Sequence, residues 1–409
     1  APMADMRIDY LLIGGGRTSA NAAQAIRESD PDGSIMIVAG EDRKPYDRPP
    51  LSKNFLEGRP PNPDDVESKA DDFFDKHNVQ LSRGIAADNI DPDLNLVTLA
   101  DGKRFEYGKL LLATGASPIP LNVPGTDRDG IYYLRSVDDS MRIRDAAARG
   151  KRAVMIGAGF VGTEVAATLS GLGVHCTIVS RENRLWDKVL GQESGRWLVR
   201  YYESKGVAVK TNAEVAEITE EGVHLSSGDV LHADMIVVGV GVRPNVGLAK
   251  DAGLETAPNG GVITDSTLRT SDPNIWAAGD IARYEDINFG KSWRLEHYMN
   301  ADWQGTHVGK NMAGANEPFT QVPYFFSDIF DLHFILRGDA EDGESAKVIG
   351  DRESGEFIEL YAYDDGRLAM GLAFTRDPDR QDQIGDRIER YILDKRSVAD
   401  LGEGSFSAS

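Results

Sequence analysis

Apolar residues along the chain gather in short runs that end on glycine or other small residues. Tyr10-Leu11-Leu12-Ile13 closes on Gly14-Gly15-Gly16, and an alanine-rich stretch from Ala20 to Ile26 follows. The run has strand length and the stretch after it suits a helix. Ile35 to Ala39 reads as a second buried strand, and Val79 to Arg83 and Ile90 to Leu99 as short strands. Asp101-Gly102 makes a hairpin turn into Arg104 to Tyr107. Lys109 to Ala113 is a further buried strand, ending in the small-residue loop Thr114 to Ser117, with a proline-rich crossover beyond it.

The pattern then starts again. Arg152 to Ile156 runs into Gly157-Ala158-Gly159, a helical run from Val165 to Leu172 and a strand from Val174 to Val179. Asp234 to Val240 predicts a buried strand that turns at Gly241. Ile275 to Ala282 predicts a strand followed by a small-residue turn and an acid, Asp280. Trp293 to Met312 has helical character. From Ala313 the texture changes. Phe330 to Leu336, Phe357 to Ala362 and Leu368 to Phe374 are strand-like, with turns at Asp342-Gly343 and Asp365-Gly366 and a terminal helix from Arg387 to Asp394. Ala1 to Met6 reads as a frayed start, and the tail from Gly402 is expected to be disordered.

Two of these strand–turn–helix–strand units carry the G-x-G-x-x-small pattern of a dinucleotide site. In the first, Gly14 permits the tight turn, Gly16 lets a pyrophosphate approach the helix N-terminus, and Ser19 stands where the pattern has its third glycine. In the second, Gly157, Gly159 and Gly162 are all present. Glu41 follows the second strand at about the spacing of a ribose contact. The corresponding strand of the second unit ends in Ser180-Arg181-Glu182 instead. Arg181 can pair with a 2′-phosphate and Ser180 can donate to it, so the expectation is NADPH over NADH. Between the units, Lys44 to Lys53 contains paired prolines and forms a rigid loop on which Arg48 and Lys53 are candidate cofactor cations.

Composition narrows the function. With 409 residues, 41% hydrophobic and 27% charged, the chain has the balance of a globular protein of two or three domains. A net charge of −21 disfavours nucleic acid or an anionic membrane as partner, and reads as a solubility or salt adaptation of the surface. The one cysteine, Cys176, excludes an intramolecular disulfide, a redox-active cysteine pair and a cysteine-ligated cluster or zinc finger, and its apolar setting predicts a core residue. No apolar run reaches transmembrane length and the start lacks the regions of a signal peptide, so a cytoplasmic enzyme is expected.

The glycine turn at Gly14, P-Y-D-R-P-P-L-S-K at Pro45 to Lys53, A-T-G at Ala113 to Gly115, G-A-G-F-V-G-x-E at Gly157 to Glu164 and A-A-G-D at Ala277 to Asp280 together resemble the two-dinucleotide flavoprotein reductases. Within these, the proline segment looks like the ferredoxin-reductase branch of oxygenase electron chains, and is similar to apoptosis-inducing factor and monodehydroascorbate reductase. The resemblance implies an α/β fold of two Rossmann-like domains. A discontinuous FAD domain (1–117 and 241–312) is interrupted by an NAD(P)H domain (118–240) and followed by a C-terminal α+β domain (313–409). It implies that Gly14, Gly16, Glu41 and Arg48 hold FAD, that Thr114 and Gly115 line its groove, and that Asp280 accepts from its ribitol or a phosphate-side hydroxyl. Lys53 is placed near the flavin N5 and Glu164 at the nicotinamide end of the second cofactor, as the catalytic pair. Glu296 and His297 would approach the ring, with Gly241 also among the cofactor contacts. Pro323 to Asp328 resembles the aromatic segment beside the flavin. Tyr324 and Phe326 stand where many relatives have tryptophan. The implied activity is an FAD-dependent NAD(P)H reductase that serves a ferredoxin-type acceptor as monomer or homodimer. A redox sensor with a stable reduced-flavin complex, or a quinone or radical reductase, are the alternatives.

Overall fold

The computed structural model describes residues 4–407, and the chain divides into two compact units. The first comprises the chain up to Asp47 with Pro63–Ser117 and Val242–Gln321; the second comprises Arg48–Asn62, Pro118–Gly241 and the chain from Val322.

The first unit is built on a seven-stranded sheet. Its order is Val79–Arg83, Ile35–Ala39, Met6–Ile13, Arg104–Leu112, Leu96–Leu99 and Ala87–Asp91, with Ile275–Ala277 also pairing with Arg104–Leu112. The strands from Val79–Arg83 through Arg104–Leu112, and Ile275–Ala277, run parallel, with Ile13 opposite Val38 on one side and Leu112 on the other. Side chains alternate between faces along a strand. Leu11 and Ile13 enter one apolar cluster while Tyr10 and Leu12 enter another, which is why the run is apolar throughout. Helix Arg17–Ser29 lies against helix Tyr298–Met312. A Cβ on Gly305 would fall 2.6 Å from the Thr18 carbonyl oxygen, and one on Gly309 2.5 Å from that of Ala22, so glycine sets the closeness of the two helices.

Three expectations in this unit change. Ile90 to Leu99 is not one strand but the hairpin Ala87–Asp91 and Leu96–Leu99, turned by Asn95 in the left-handed region (φ 50°). Arg104 to Tyr107 and Lys109 to Ala113 form one strand through Gly108, where a Cβ would meet the Asp9 carbonyl oxygen at 2.8 Å. Trp293 belongs to the strand Lys291–Arg294, which pairs with Ala282–Asp286; the helix begins at Tyr298, where the His297 Nδ1 accepts from the Met299 N–H.

The second unit holds a five-stranded parallel sheet in the order Ala208–Lys210, His175–Val179, Arg152–Ile156, Met235–Val238, Ile131–Tyr133. It also holds the antiparallel sheet Tyr324–Ile329, Leu332–Gly338, Leu368–Thr375, Glu356–Ala362, Glu344–Asp351. A single apolar cluster, with Trp186, Trp197, Phe334 and Phe374 among its members, joins the two. Helices Val137–Arg149 and Gln192–Ser204 and strands Tyr324–Ile329 and Glu344–Asp351 add to the expected elements. Leu332 rather than Phe330 opens its strand, because Phe330 sits in a left-handed turn (φ 52°). The last helix spans Pro378–Leu393, nine residues earlier than Arg387, because the Asp377 carboxylate caps it. The tail is ordered through residue 407: Phe406 is buried against the Tyr391 ring, and the Tyr391 hydroxyl donates to the Ser405 carbonyl at 2.6 Å.

The segment Arg48–Asn62 packs in this second unit, although the expected boundaries grouped it with residues 1–117. Ser140 donates to the Leu51 carbonyl at 2.7 Å, Thr168 to the Ser52 carbonyl at 2.6 Å, and Leu56 joins the apolar cluster.

Candidate functional site

The first unit's glycine turn is dictated by its backbone. Gly14 has φ +128°, and a Cβ there would lie 2.0 Å from the Ala113 carbonyl oxygen. Around Gly16 a Cβ would meet nothing within 4 Å. Gly16 is the N-cap of helix Arg17–Ser29, and neither a capping side chain nor an acid in the first turn serves the helix start. Uncapped helix N–H groups, the positive end of the helix dipole and open space beside a glycine are the donor set of a pyrophosphate site, so these residues fit the FAD expected of them. Ser19 is buried, and no hydrogen-bond partner meets its hydroxyl.

Other expected positions of this unit fall around the same turn or farther along the sheet. Gly279 opens a short turn that carries Asp280; its N–H donates to the Gln304 Oε1 at 2.9 Å, and a Cβ on it would lie 2.8 Å from the Thr18 hydroxyl. The Arg294 guanidinium donates to the Asp280 carbonyl at 3.0 Å and forms an ion pair with Glu296. Glu41 accepts from the Tyr46 hydroxyl at 2.8 Å. Thr114 donates from its hydroxyl to the Asn245 carbonyl at 2.8 Å beside Gly115, whose φ is +66°. His297 caps its helix as described.

Sequence reading missed Arg17, at the first position of the helix. Its guanidinium is held by Asp47 at 2.7 Å and by Asp302, whose carboxylate also accepts from Asn21 at 2.7 Å. These partners lie up to 285 residues apart, so no local spacing announces them.

In the second unit the turn repeats. Gly157 has φ +119°, with a Cβ position 2.1 Å from the Gly239 carbonyl oxygen, and Gly159 again opens onto free space. Helix Phe160–Gly171 starts at Gly159 with no capping side chain and no acid in its first turn. At Gly162 a Cβ would come within 3.1 Å of the Gly157 carbonyl oxygen, a tight contact. This turn, too, fits a pyrophosphate.

The expected catalytic pair meets. The Lys53 ammonium lies 2.9 Å from the Glu164 Oε2, and Glu164 is only 7% exposed. Ser52 donates to the same oxygen at 2.6 Å, and Ser327 donates to Oε1 at 2.6 Å. The Phe326 ring centroid is 6.0 Å from the Lys53 ammonium. Arg48 donates to the Arg135 carbonyl. Gly241, with φ +116°, accepts from the Ile119 N–H at 2.9 Å.

Ser180 is placed differently from its expectation. It is 1% exposed, its hydroxyl donates to the Arg184 carbonyl at 3.3 Å, and it accepts from the Glu182 N–H at 3.1 Å. With its one proton committed inside the loop, it is not turned outward beside Arg181. Arg181 is exposed and lies 3.1 Å from the Glu214 carboxylate. Cys176 is buried, as expected, and burial pushes its thiol up to about 12, which makes it inert.

Residues 8–305 match the family model described as pyridine nucleotide-disulphide oxidoreductase. The rubredoxin-NAD(+) reductase of Pseudomonas putida is 32% identical over 93% of this chain and 98% of its own. The biphenyl dioxygenase system ferredoxin–NAD(+) reductase component of Paraburkholderia xenovorans is 34% identical over 96% of each chain. Among solved structures, the covalent putidaredoxin reductase–putidaredoxin complex aligns with a TM-score of 0.87 at 28% identity, covering 96% of this chain and 94% of that one. Among the described residues no helix is long and apolar enough to cross a membrane. The chain belongs to the pyridine nucleotide-disulphide oxidoreductase family and is an oxidoreductase that uses FAD and a nicotinamide nucleotide.

Proposed function

We propose that the chain is a cytoplasmic NADH-dependent flavoprotein reductase that passes electrons to a ferredoxin-type protein. The observation that carries this reading is the pair of open glycine turns in a chain with a single, buried cysteine. Two dinucleotides need two such turns, and without a cysteine pair the electrons leave the flavin directly. FAD, when bound, takes up a hydride and releases electrons to the acceptor. In this reading Gly14, Gly16, Glu41, Thr114, Gly115 and Asp280 hold FAD, within a domain of residues 1–117 and 241–312 less the segment Arg48–Asn62. Gly157, Gly159 and Gly162 hold the nicotinamide nucleotide within 118–240, and residues 313–409 form the third domain. Lys53 and Glu164 steady charge during hydride transfer. The relatives named above, with rubredoxin, ferredoxin and putidaredoxin in their names, support the choice of acceptor.

The expected preference for NADPH gives way here to NADH. A 2′-phosphate beside Arg181 would also face the Glu214 carboxylate, and Ser180 has no proton left for it. The test is a steady-state assay of the purified holoprotein with both donors, and with ferredoxin, rubredoxin, quinone and ferricyanide as acceptors. The expected result is about one FAD per chain, kcat/KM for NADH at least about tenfold above that for NADPH, and the highest turnover with an iron–sulfur or rubredoxin acceptor. A flavin-free protein that gains none on reconstitution, or one reducing ferricyanide and quinone but no small iron protein, overturns the reading.

A further inference from the structure

We infer that Ser327 and Ser52 are positioning residues that fix the rotation of the Glu164 carboxylate and through it the site of the Lys53 ammonium. The inference rests on the function proposed above. A carboxylate turns about a broad, roughly two-fold terminal torsion, so one contact does not decide which oxygen faces a cation. Here the two oxygens are given different partners. Oε2 receives the Ser52 hydroxyl at 2.6 Å and the Lys53 ammonium at 2.9 Å, from adjacent residues of one rigid segment. Oε1 receives the Ser327 hydroxyl at 2.6 Å, from a different part of the chain.

Each serine is itself held. Pro49 and Pro50 set the turn Pro49–Ser52, and the Thr168 hydroxyl, on the same helix as Glu164, donates to the Ser52 carbonyl at 2.6 Å. Ser327 is fully buried on strand Tyr324–Ile329, opposite Phe334 in the antiparallel register. A hydroxyl in that apolar setting needs an acceptor, and Glu164 is the one it has. Lys53 has two acceptors, the Glu164 Oε2 and, at 3.5 Å, the Pro49 carbonyl. Removing the Ser327 hydroxyl frees Oε1, lets the carboxylate turn, and loosens the ammonium that the proposed function places in hydride transfer.

The experiment is single-turnover reduction of the holoprotein by NADH in stopped flow, alongside the flavin midpoint potential and the unfolding of the apoprotein. The variants are Ser327→Ala, Ser327→Thr, Ser52→Ala, Glu164→Gln and the double variant Ser327→Ala/Glu164→Gln. Ser327→Ala should lower the limiting rate by about tenfold, the size of one hydrogen bond to a charged group, with the half-saturating NADH concentration within about twofold of wild type. Ser327→Thr should recover most of the rate. The double variant should be no slower than Glu164→Gln, and the midpoint potential should move in the same direction in Ser327→Ala and Glu164→Gln. Apoprotein unfolding should show the two substitutions coupled. If Ser327→Ala does not fold, Ser52→Ala carries the same comparison through Oε2. A wild-type limiting rate in the alanine variants, no recovery by threonine, or multiplicative losses in the double variant overturns the inference. A wild-type protein that binds no FAD, or is not reduced by NADH, overturns the proposed function and this inference together.

Discussion

The two glycine turns make the same demand on the backbone and differ in what surrounds it. At the first glycine both have a positive φ, +128° at Gly14 and +119° at Gly157, and both would drive a Cβ to about the same distance from a backbone carbonyl, 2.0 and 2.1 Å. At the second glycine both open onto free space. The difference begins at the third position. Gly162 lies near enough to the Gly157 carbonyl that a Cβ would have to push it, whereas the same place in the first turn takes a serine. Beyond it, the first helix opens with Arg17 clasped by Asp47 and Asp302, and the second with Phe160, whose ring lies 4.4 Å from that of Trp186. What the turns share is the part a pyrophosphate would require; what separates them is packing.

The largest expected effect breaks the shared part. Gly14→Ala and Gly157→Ala each set a Cβ against backbone at a φ that alanine rarely adopts, so each should destabilise its own unit by about 3 kcal/mol or more. Gly14→Ala should be purified with little FAD. Gly157→Ala, where it folds, should keep FAD and require far more NADH for reduction. Flavin absorbance per chain and the half-saturating NADH concentration decide between them. If both variants lose the same nucleotide, the assignment of one turn to each fails.

That the turns were readable in the sequence and their surroundings were not has a physical reason. A positive φ beside a carbonyl can be met by glycine and little else, so the requirement is written in a single letter. The Lys53–Glu164 pair followed from motif positions at both ends. Ser52 and Ser327 are serines among many, and no spacing links residue 164 to residue 327. The aromatic run Tyr324 to Phe326 drew notice, but the residue that reaches Glu164 is the small one after it. Some missed elements did carry local signals. Helix Val137–Arg149 opens with a capping box, in which the Ser136 hydroxyl accepts from the Asp139 N–H at 3.1 Å and Asp139 accepts from the Ser136 N–H at 2.8 Å. Helix Pro378–Leu393 opens with an Asp cap and a proline at its first position. Its apolar positions, Ile384, Ile388 and Ile392, are four apart among many charges, which hid the start.

The units also differ in how they house a buried acid, and pH sharpens that difference. In the second unit Glu164 accepts from the Ser52 hydroxyl and the Lys53 ammonium at Oε2 and from the Ser327 hydroxyl at Oε1. In the first unit Asp286, fully buried, accepts from the Asn288 N–H at 2.9 Å, and burial pushes its pKa up to about 6. A carboxyl with a raised folded pKa favours the folded state while protonated. Its contribution is full below the unfolded value, near 4, and is lost as pH rises through about 6. Asp286→Asn should therefore stabilise the chain by up to about 2 kcal/mol at pH 8 relative to wild type, and by little at pH 4. Urea unfolding of both proteins across that range checks it. A difference that does not change with pH would show that Asp286 does not titrate there.

The smallest effect tests the third position of each turn, where the two should respond to alanine with opposite signs. The Ser19 hydroxyl is buried with no partner. A buried polar group left unsatisfied is unfavourable by roughly 1–3 kcal/mol, and alanine removes it while keeping the Cβ and gaining helix propensity. Ser19→Ala should thus stabilise by about 1 kcal/mol and leave FAD content unchanged. Gly162→Ala gains the same propensity, but its Cβ would sit 3.1 Å from the Gly157 carbonyl oxygen and 4.0 Å from the Met155 Cβ. The carbonyl belongs to a residue pinned by its own positive φ, so it cannot give way without disturbing the turn. Gly162→Ala should destabilise by about 1 kcal/mol and weaken NADH binding by several-fold, because the helix start moves away from the strand. Thermal unfolding and NADH titration of the two variants side by side measure the contrast. Equal signs would mean that the third position is set by helix propensity in both turns, and that the closer packing of the second has no energetic weight.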